Sequence, residues 1–215
     1  MTPHRVFLTG GTGYIGSRLA AILVARGHNV TALARKESQY KLPPNCRVFL
    51  GSALDGDSYA AAVVGADTFI HLIGVSHPSP AKTRQFVEID LKSAQEAIRV
   101  AAATGIRHFI YLSVAHPAPV MHAYIEVRKA GEELLCANGL NATILRPWYV
   151  LGPGHRWPYV LLPMYALAKL VPGTRESAQR LEPVTLRQML SALEAAVEDP
   201  PTGVRILEAA YIRSL

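Results

Sequence analysis

The sequence predicts an α/β fold, a parallel sheet with helices wound over both faces. Two observations lead to it. Runs that are apolar throughout alternate with helical patterns from residue 4 to residue 147, and strands apolar along their whole length belong to sheets covered on both sides. Gly10, Gly11, Gly13 and Gly16 also crowd into "FLTGGTGYIG", where the first strand hands over to the first helix. The right-handed rule for βαβ connections then selects a doubly wound sheet of Rossmann type with a small C-terminal cap.

The elements follow in order. "HRVFLTG" (4–10) reads as a buried strand and "YIGSRLAAILVARG" (14–27) as a helix ended by Gly27. "HNVTALAR" (28–35) is the second strand, and "CRVFLGS" (46–52), after a Pro-Pro turn, is the third. "DGDSYAAAVVG" (55–65) is a short helix opening on an acidic cap. Residues 66–74 form the fourth strand, 83–105 a long helix, 106–114 the fifth strand, 122–139 a helix and 140–147 the sixth strand. Beyond Pro147 the rhythm changes to Pro, Gly and aromatic residues. There 184–200 reads as a helix capped by Thr185, and 203–212 as a last strand. The division expected is one domain, 1–215, with a dinucleotide-binding core over 1–147 and a cap or substrate region over 148–215.

Composition narrows the function classes. Of 215 residues, 50% are hydrophobic and 18% charged, which suits an ordinary globular chain. The net charge is +6, but the basic residues are scattered and run no longer than the pairs Arg35–Lys36 and Arg128–Lys129. No nucleic-acid partner is expected from that pattern. Cys46 and Cys136 read as free thiols of a reducing compartment, and the N-terminus moves straight into a strand without a secretory signal, so a cytoplasmic location is expected. "WPYVLLPMYALAKLVP" (157–172) is the most hydrophobic stretch. It is short for a membrane span and Pro163 interrupts it, which leaves a packing helix or an apolar surface contact. No His, Cys, Asp or Glu set has zinc-ligand spacing, so no metal is expected.

The glycines carry the chemistry. Gly10, Gly13 and Gly16 have GxxGxxG spacing, and Gly11, Gly13 and Gly16 satisfy GxGxxG. One glycine makes the tight turn, one lets the backbone approach a pyrophosphate, and one lets helix and strand pack closely. The phosphates then meet free N–H groups at a helix N-terminus. About 20 residues further on, NAD sites place an acid for the ribose 2′-OH. Here that place reads Ala34–Arg35–Lys36. Two cations suit a 2′-phosphate, so NADP(H) is expected over NAD(H), with NAD(H) still open.

These motifs, with "HLIG" after the fourth strand, "YLSV" ending the fifth, a Tyr on the next helix and "ILRPWYVLGPG", resemble the short-chain dehydrogenase/reductase superfamily. The likeness is to its atypical and extended branches, including epimerase/dehydratase-like proteins and relatives of the NmrA regulator and of a complex I accessory subunit. It covers roughly the first 155 residues, as expected of the cofactor half. It implies that Gly10, Thr12, Gly13, Tyr14, Ile15 and Gly16 line the pyrophosphate and that Arg35 meets the 2′-phosphate. Leu72, Ile73 and Gly74 would run beside the ribose, and Pro147 to Val150 near the nicotinamide. Ser113 would be the active-site serine and Tyr124 the catalytic tyrosine. Relatives often pair through the helices at 83–105 and 122–138, which implies a homodimer or a protein partner.

The chain departs from the family at two places. The family uses YxxxK, whose lysine binds the ribose and lowers the tyrosine pKa. In "YIEVRKAGE" the i+4 residue is Arg128, while Lys129 lies about 100° further round the helix. Arginine keeps the charge but not the shape or the titration. After the third strand, Gly51–Ser52 replaces the family's "GD", with Asp55 three residues on. Two readings follow. One is an NADP(H)-dependent oxidoreductase or epimerase/dehydratase-like enzyme acting on an unidentified small carbonyl or hydroxyl substrate, with Tyr124 exchanging the proton, Ser113 holding the oxygen and Arg128 clamping the ribose. The other is a non-catalytic NADP(H) sensor or assembly protein, which the missing lysine favours. His116 and His122 flank the loop before Tyr124 and offer acid–base groups, whereas His71 on an apolar strand reads as a core residue.

Overall fold

The computed structural model of the chain describes residues 2–154, 160 and 162–215. In chain order the strands are β1 (Arg5–Thr9), β2 (Asn29–Ala34), β3 (Arg47–Leu50), β4 (Thr68–His71), β5 (His108–Leu112), β6 (Ala142–Arg146), β7 (Val150–Leu151), β8 (Val184–Thr185) and β9 (Val204–Glu208). Seven of them form one sheet in the order β3-β2-β1-β4-β5-β6-β9, and every pairing in it is parallel. β7 and β8 pair with each other outside that sheet. Chain direction across the sheet reverses between β1 and β4, and sheets of this kind bind ligands at the crevice there.

The helices are α1 (Gly16–Ala25), α2 (Ala60–Val63), α3 (Thr83–Gln85), α4 (Lys92–Ala103), α5 (His122–Ala137), α6 (Leu162–Ala168), α7 (Pro172–Leu181), α8 (Leu186–Glu198) and α9 (Ala209–Ser214). Side chains alternate across each strand. Val6, Leu8, Ile70 and Ile110 therefore face a core made with α1 and α8, through Leu19, Leu23, Met189 and Leu193. Phe7, Phe69 and Phe109 face the opposite core, with Val63, Ala97 and Leu135. The parallel register sets these three rings side by side, with centroids 5.1 Å apart at both steps. The expected Thr185 cap forms: its Oγ1 accepts from the Gln188 N–H at 3.2 Å, and Gln188 Oε1 accepts from the Thr185 N–H at 2.9 Å.

Several boundaries differ from the sequence expectation. The strand expected over 203–212 ends at Glu208 and turns into α9. Thus α8 and β9 belong to the core, although they lie in the C-terminal third. No side chain caps the short turn after Asp55, so the acidic cap expected there is not made. The long helix over 83–105 is interrupted by a π-helical turn at Phe86–Leu91, between α3 and α4. Among the described residues, both cysteines are free thiols and no helix is long and apolar enough to cross a membrane. Trp157, with the opening of the hydrophobic stretch 157–172, lies outside the described residues.

Candidate active site

A cavity of about 430 Å³ opens at the carboxyl ends of the central strands. The glycine loop after β1 forms one wall, with Gly10, Gly13, Tyr14, Ile15 and Gly16. Leu72 and Gly74 after β4, Ser113 after β5, and Pro147 and Val150 after β6 form others. Tyr124 and Arg128 reach it from α5. Three of the expected site residues do not line it. Thr12 is half-buried in the loop, Ile73 turns its carbonyl toward Arg128, and Arg35 is exposed directly beyond β2.

The loop has room for backbone only. Gly10 has φ +79°, and a Cβ there would lie 2.8 Å from the carbonyl carbon of Leu72. A Cβ on Gly16 would collide with the Gly10 carbonyl oxygen and lie 2.8 Å from its carbon. So Gly10 is required by the turn and by β4, and Gly16 by the approach of α1 to β1. No side chain caps the start of α1. Gly13, Tyr14, Ile15 and Gly16 at this start line the cavity, so the positive end of the helix dipole lies at it, the arrangement that receives a pyrophosphate. The residues present fit a nicotinamide dinucleotide.

Arg128 is buried, with only 3% exposure. Its Nη1 donates to the carbonyls of Ile73 at 3.2 Å and Leu112 at 3.0 Å, and its Nη2 donates to Asp90 Oδ1 at 2.7 Å. The guanidinium thereby ties the ends of β4 and β5 to the π-helical turn that carries Asp90. Gly74 is small because a Cβ there would collide with this guanidinium. The Tyr124 ring lies 5.1 Å from the Arg128 Cζ on one side and 5.0 Å from the Phe86 ring on another. Asp90 is fully buried and also accepts the Val75 N–H at 2.9 Å. Burial pushes its carboxyl above the usual carboxylate range, and Arg128 and that N–H hold it back. Burial opposes the charge on Arg128, but Tyr124, Tyr111 and Asp90 outweigh it and the group stays raised.

Ser113 is also committed. Its hydroxyl donates to Glu132 Oε1 at 2.5 Å. Glu132 accepts from Arg146 Nε at 3.0 Å, and Arg146 also bonds Glu208 at 2.9 Å. His116 Nε2 lies 3.5 Å from Glu132 Oε2. His122 is exposed at the start of α5. His71 is a core residue: Thr9 Oγ1 lies 2.8 Å from its Nδ1 and Ser93 Oγ 3.4 Å from its Nε2. Burial, with Arg128 nearby, pushes it down to about 3, so it is neutral.

With this geometry in place, comparison with known proteins is informative. Residues 10–160 match the family described as NAD(P)H-binding. The chain belongs to this family. As an NAD(P)H-binding protein, it is 33% identical to the uncharacterized sugar epimerase YhfK of Bacillus subtilis over 153 residues, 66% of this chain and 71% of that protein. It is 26% identical to the ceramide reductase of Caulobacter vibrioides over 205 residues, 93% of this chain but 62% of the reductase. The chain spans 31% of the 3-beta-hydroxysteroid dehydrogenase of Mycolicibacterium neoaurum, to which it is 26% identical over 113 residues, 50% of this chain. Several curated relatives are therefore much longer than this NAD(P)H-binding chain. Its fold is that of the Bordetella bronchiseptica enzyme WbmH in complex with NAD+, with a TM-score of 0.71 at 20% identity, covering 95% of this chain and 75% of that one.

Sequence reasoning missed Asp90, Glu132 and Arg146. One signal for Glu132 was present: Tyr124, Arg128 and Glu132 are spaced i, i+4, i+8 and share one face of α5. Among the described residues, no group of three or more His, Cys, Asp or Glu has the placement of a metal site.

Proposed function

We propose that the chain is an NADP(H)-dependent oxidoreductase or epimerase-type enzyme acting on a small, largely apolar carbonyl or hydroxyl compound. The observation that carries this reading is the single cavity shared by the glycine loop, Ser113, Tyr124 and Arg128. The bound dinucleotide supplies hydride transfer at its nicotinamide ring. Gly10, Thr12, Gly13, Tyr14, Ile15 and Gly16 hold the pyrophosphate, and Arg35 meets the 2′-phosphate. Leu72, Ile73 and Gly74 flank the ribose, while Pro147 and Val150 flank the nicotinamide. Tyr124 exchanges a proton at its phenol oxygen, and Ser113 holds the substrate oxygen. Val75, Val114 and Trp148 give the cavity an apolar wall, which favours an apolar substrate. Relatives named for ceramide and for a 3-beta-hydroxysteroid support the same class. The free thiols suit a cytoplasmic protein.

Two observations favour a non-catalytic NADP(H) sensor as the second reading. Arg128 spends three hydrogen bonds on Ile73, Leu112 and Asp90, and Ser113 gives its one hydrogen to Glu132. Turnover separates the two. NADPH consumption is followed with a panel of apolar ketones and aldehydes, for the wild type and for Tyr124→Phe. A reductase consumes NADPH with at least one of them and loses about 100-fold or more in the variant. An epimerase consumes none but changes the optical rotation of chiral apolar alcohols in the presence of bound dinucleotide. Tight NADPH binding with no NADPH consumption, no NADP+ reduction by the matching alcohols and no epimerisation assigns the sensor.

A further inference from the structure

Ser113 sits in the cavity wall and is 3% exposed. Behind it stands a polar assembly that the proton exchange at Tyr124 does not use. Glu132, also buried, takes two arms of the Arg146 guanidinium: Nε donates to Oε1 at 3.0 Å and Nη2 donates to Oε2. A guanidinium keeps its charge, and a two-pronged contact of this kind holds its partner as a carboxylate. Arg146 is itself anchored at 2.9 Å by Glu208, the last residue of β9.

An ionised carboxylate accepts hydrogen bonds and donates none. The hydrogen between Ser113 and Glu132, which are 2.5 Å apart, therefore belongs to the serine. A serine hydroxyl has one hydrogen and two lone pairs. With its hydrogen turned to Glu132, Ser113 offers the cavity lone pairs alone. A carbonyl oxygen placed there meets lone pair against lone pair. Turning the hydrogen outward would give up a bond to a charged acceptor, about twice as strong as a neutral one. A hydroxyl placed there donates to Ser113 and disturbs nothing. The Tyr124 phenol, which lines the same cavity, is a donor and suits the carbonyl.

We propose that Glu132 is a positioning residue that fixes Ser113 as an acceptor, so that the site selects a hydroxy ketone or hydroxy aldehyde, with its carbonyl at Tyr124 and a nearby hydroxyl at Ser113. The proposal rests on the reading of the cavity as an oxidoreductase site. NADPH supplies the hydride to the carbonyl carbon. Tyr124 gives its phenol proton to the carbonyl oxygen and regains one from solvent, and the product is a diol. The hydroxyl held by Ser113 keeps its own proton throughout.

The test uses 2-octanone, 1-hydroxy-2-octanone, 4-hydroxy-2-octanone and 1-methoxy-2-octanone, the last keeping the added oxygen without its hydrogen. NADPH consumption gives kcat/KM, and ratios between compounds on one protein sample do not depend on how much of it is folded. The wild type favours at least one hydroxy ketone about tenfold or more over 2-octanone and over the methoxy compound. Ser113→Ala brings that ratio to about one, and Glu132→Gln, which removes the charge that holds the hydrogen, lowers it at least about threefold. With NADP+ in place of NADPH no ketone is reduced, and dissociation constants read from the emission of Trp148 in the cavity wall follow the same order. Equal use of hydroxy and plain ketones by the wild type overturns the proposal and leaves the oxidoreductase reading standing. So does a preference that survives both variants, or consumption with other ketones of the panel but with neither hydroxy ketone. No consumption with any ketone or aldehyde, these or the wider panel, overturns both.

Discussion

Asp90→Ala strikes the electrostatic centre of the site. The carboxylate has no exposure and Arg128 has 3%, with 2.7 Å between them. Removing the acid leaves a guanidinium charge in the interior and the Val75 N–H without its acceptor. Breaking a buried pair in this way costs about 3–5 kcal/mol, far more than a surface pair would. For a domain of this size that lowers the melting temperature by roughly 6–20 °C. Because Arg128 also ties Ile73 and Leu112, the ends of β4 and β5 loosen and NADPH binding weakens. Circular dichroism melts and urea titrations read the stability. Adding Arg128→Met to Asp90→Ala removes the stranded charge and recovers at least about 1 kcal/mol. A loss below about 1 kcal/mol in Asp90→Ala, or a double variant as unstable as the sum of the singles, would refute the reasoning.

Three other outcomes are expected. Gly16→Ala drives a methyl into the Gly10 carbonyl, so it destabilises by about 1 kcal/mol or more and weakens NADPH binding at least about tenfold, read by calorimetry. Acid destabilises the fold through neutral buried histidines: burial holds His71 down to about 3 and His108 down to about 4. Between those values and about 6.5, the unfolded chain takes up the protons that the native state refuses, so stability falls as pH falls. Urea titrations from pH 6 to pH 5 should show a loss of about 2 kcal/mol, halved by His71→Asn; an unchanged slope in that variant contradicts the assignment. Thr185→Ala removes the capping box of α8 and costs about 1 kcal/mol in the same titration, with NADPH affinity unchanged.

The order of the first six strands was legible because parallel strands buried on both faces read as continuous apolar runs. The glycine loop was legible because close backbone approach excludes every other side chain. The cap at Thr185 was legible because a threonine directly precedes the helical run. Asp90 and Glu132 were not, because a single acid in a helix looks the same in sequence whether it faces water or a buried cation. The π-helical turn at Phe86–Leu91 has no periodic signature, although it is the turn that carries Asp90. The end of β9 was missed because Ala209–Ala210–Tyr211 continues the apolar run of the strand while the backbone has already turned into α9.

The central claim is that the glycine loop and Arg35 cradle a dinucleotide phosphorylated at its adenosine 2′ position. It is tested most directly by titrating NADPH and NADH into the wild type and into Arg35→Ala, following the emission of Trp148 at the cavity wall. The account predicts that NADPH binds more tightly than NADH, and that the variant weakens NADPH alone, about tenfold or more. Equal affinity for the two dinucleotides, unaffected by the variant, would contradict the claim for the 2′-phosphate. Binding of neither would contradict the cradle itself.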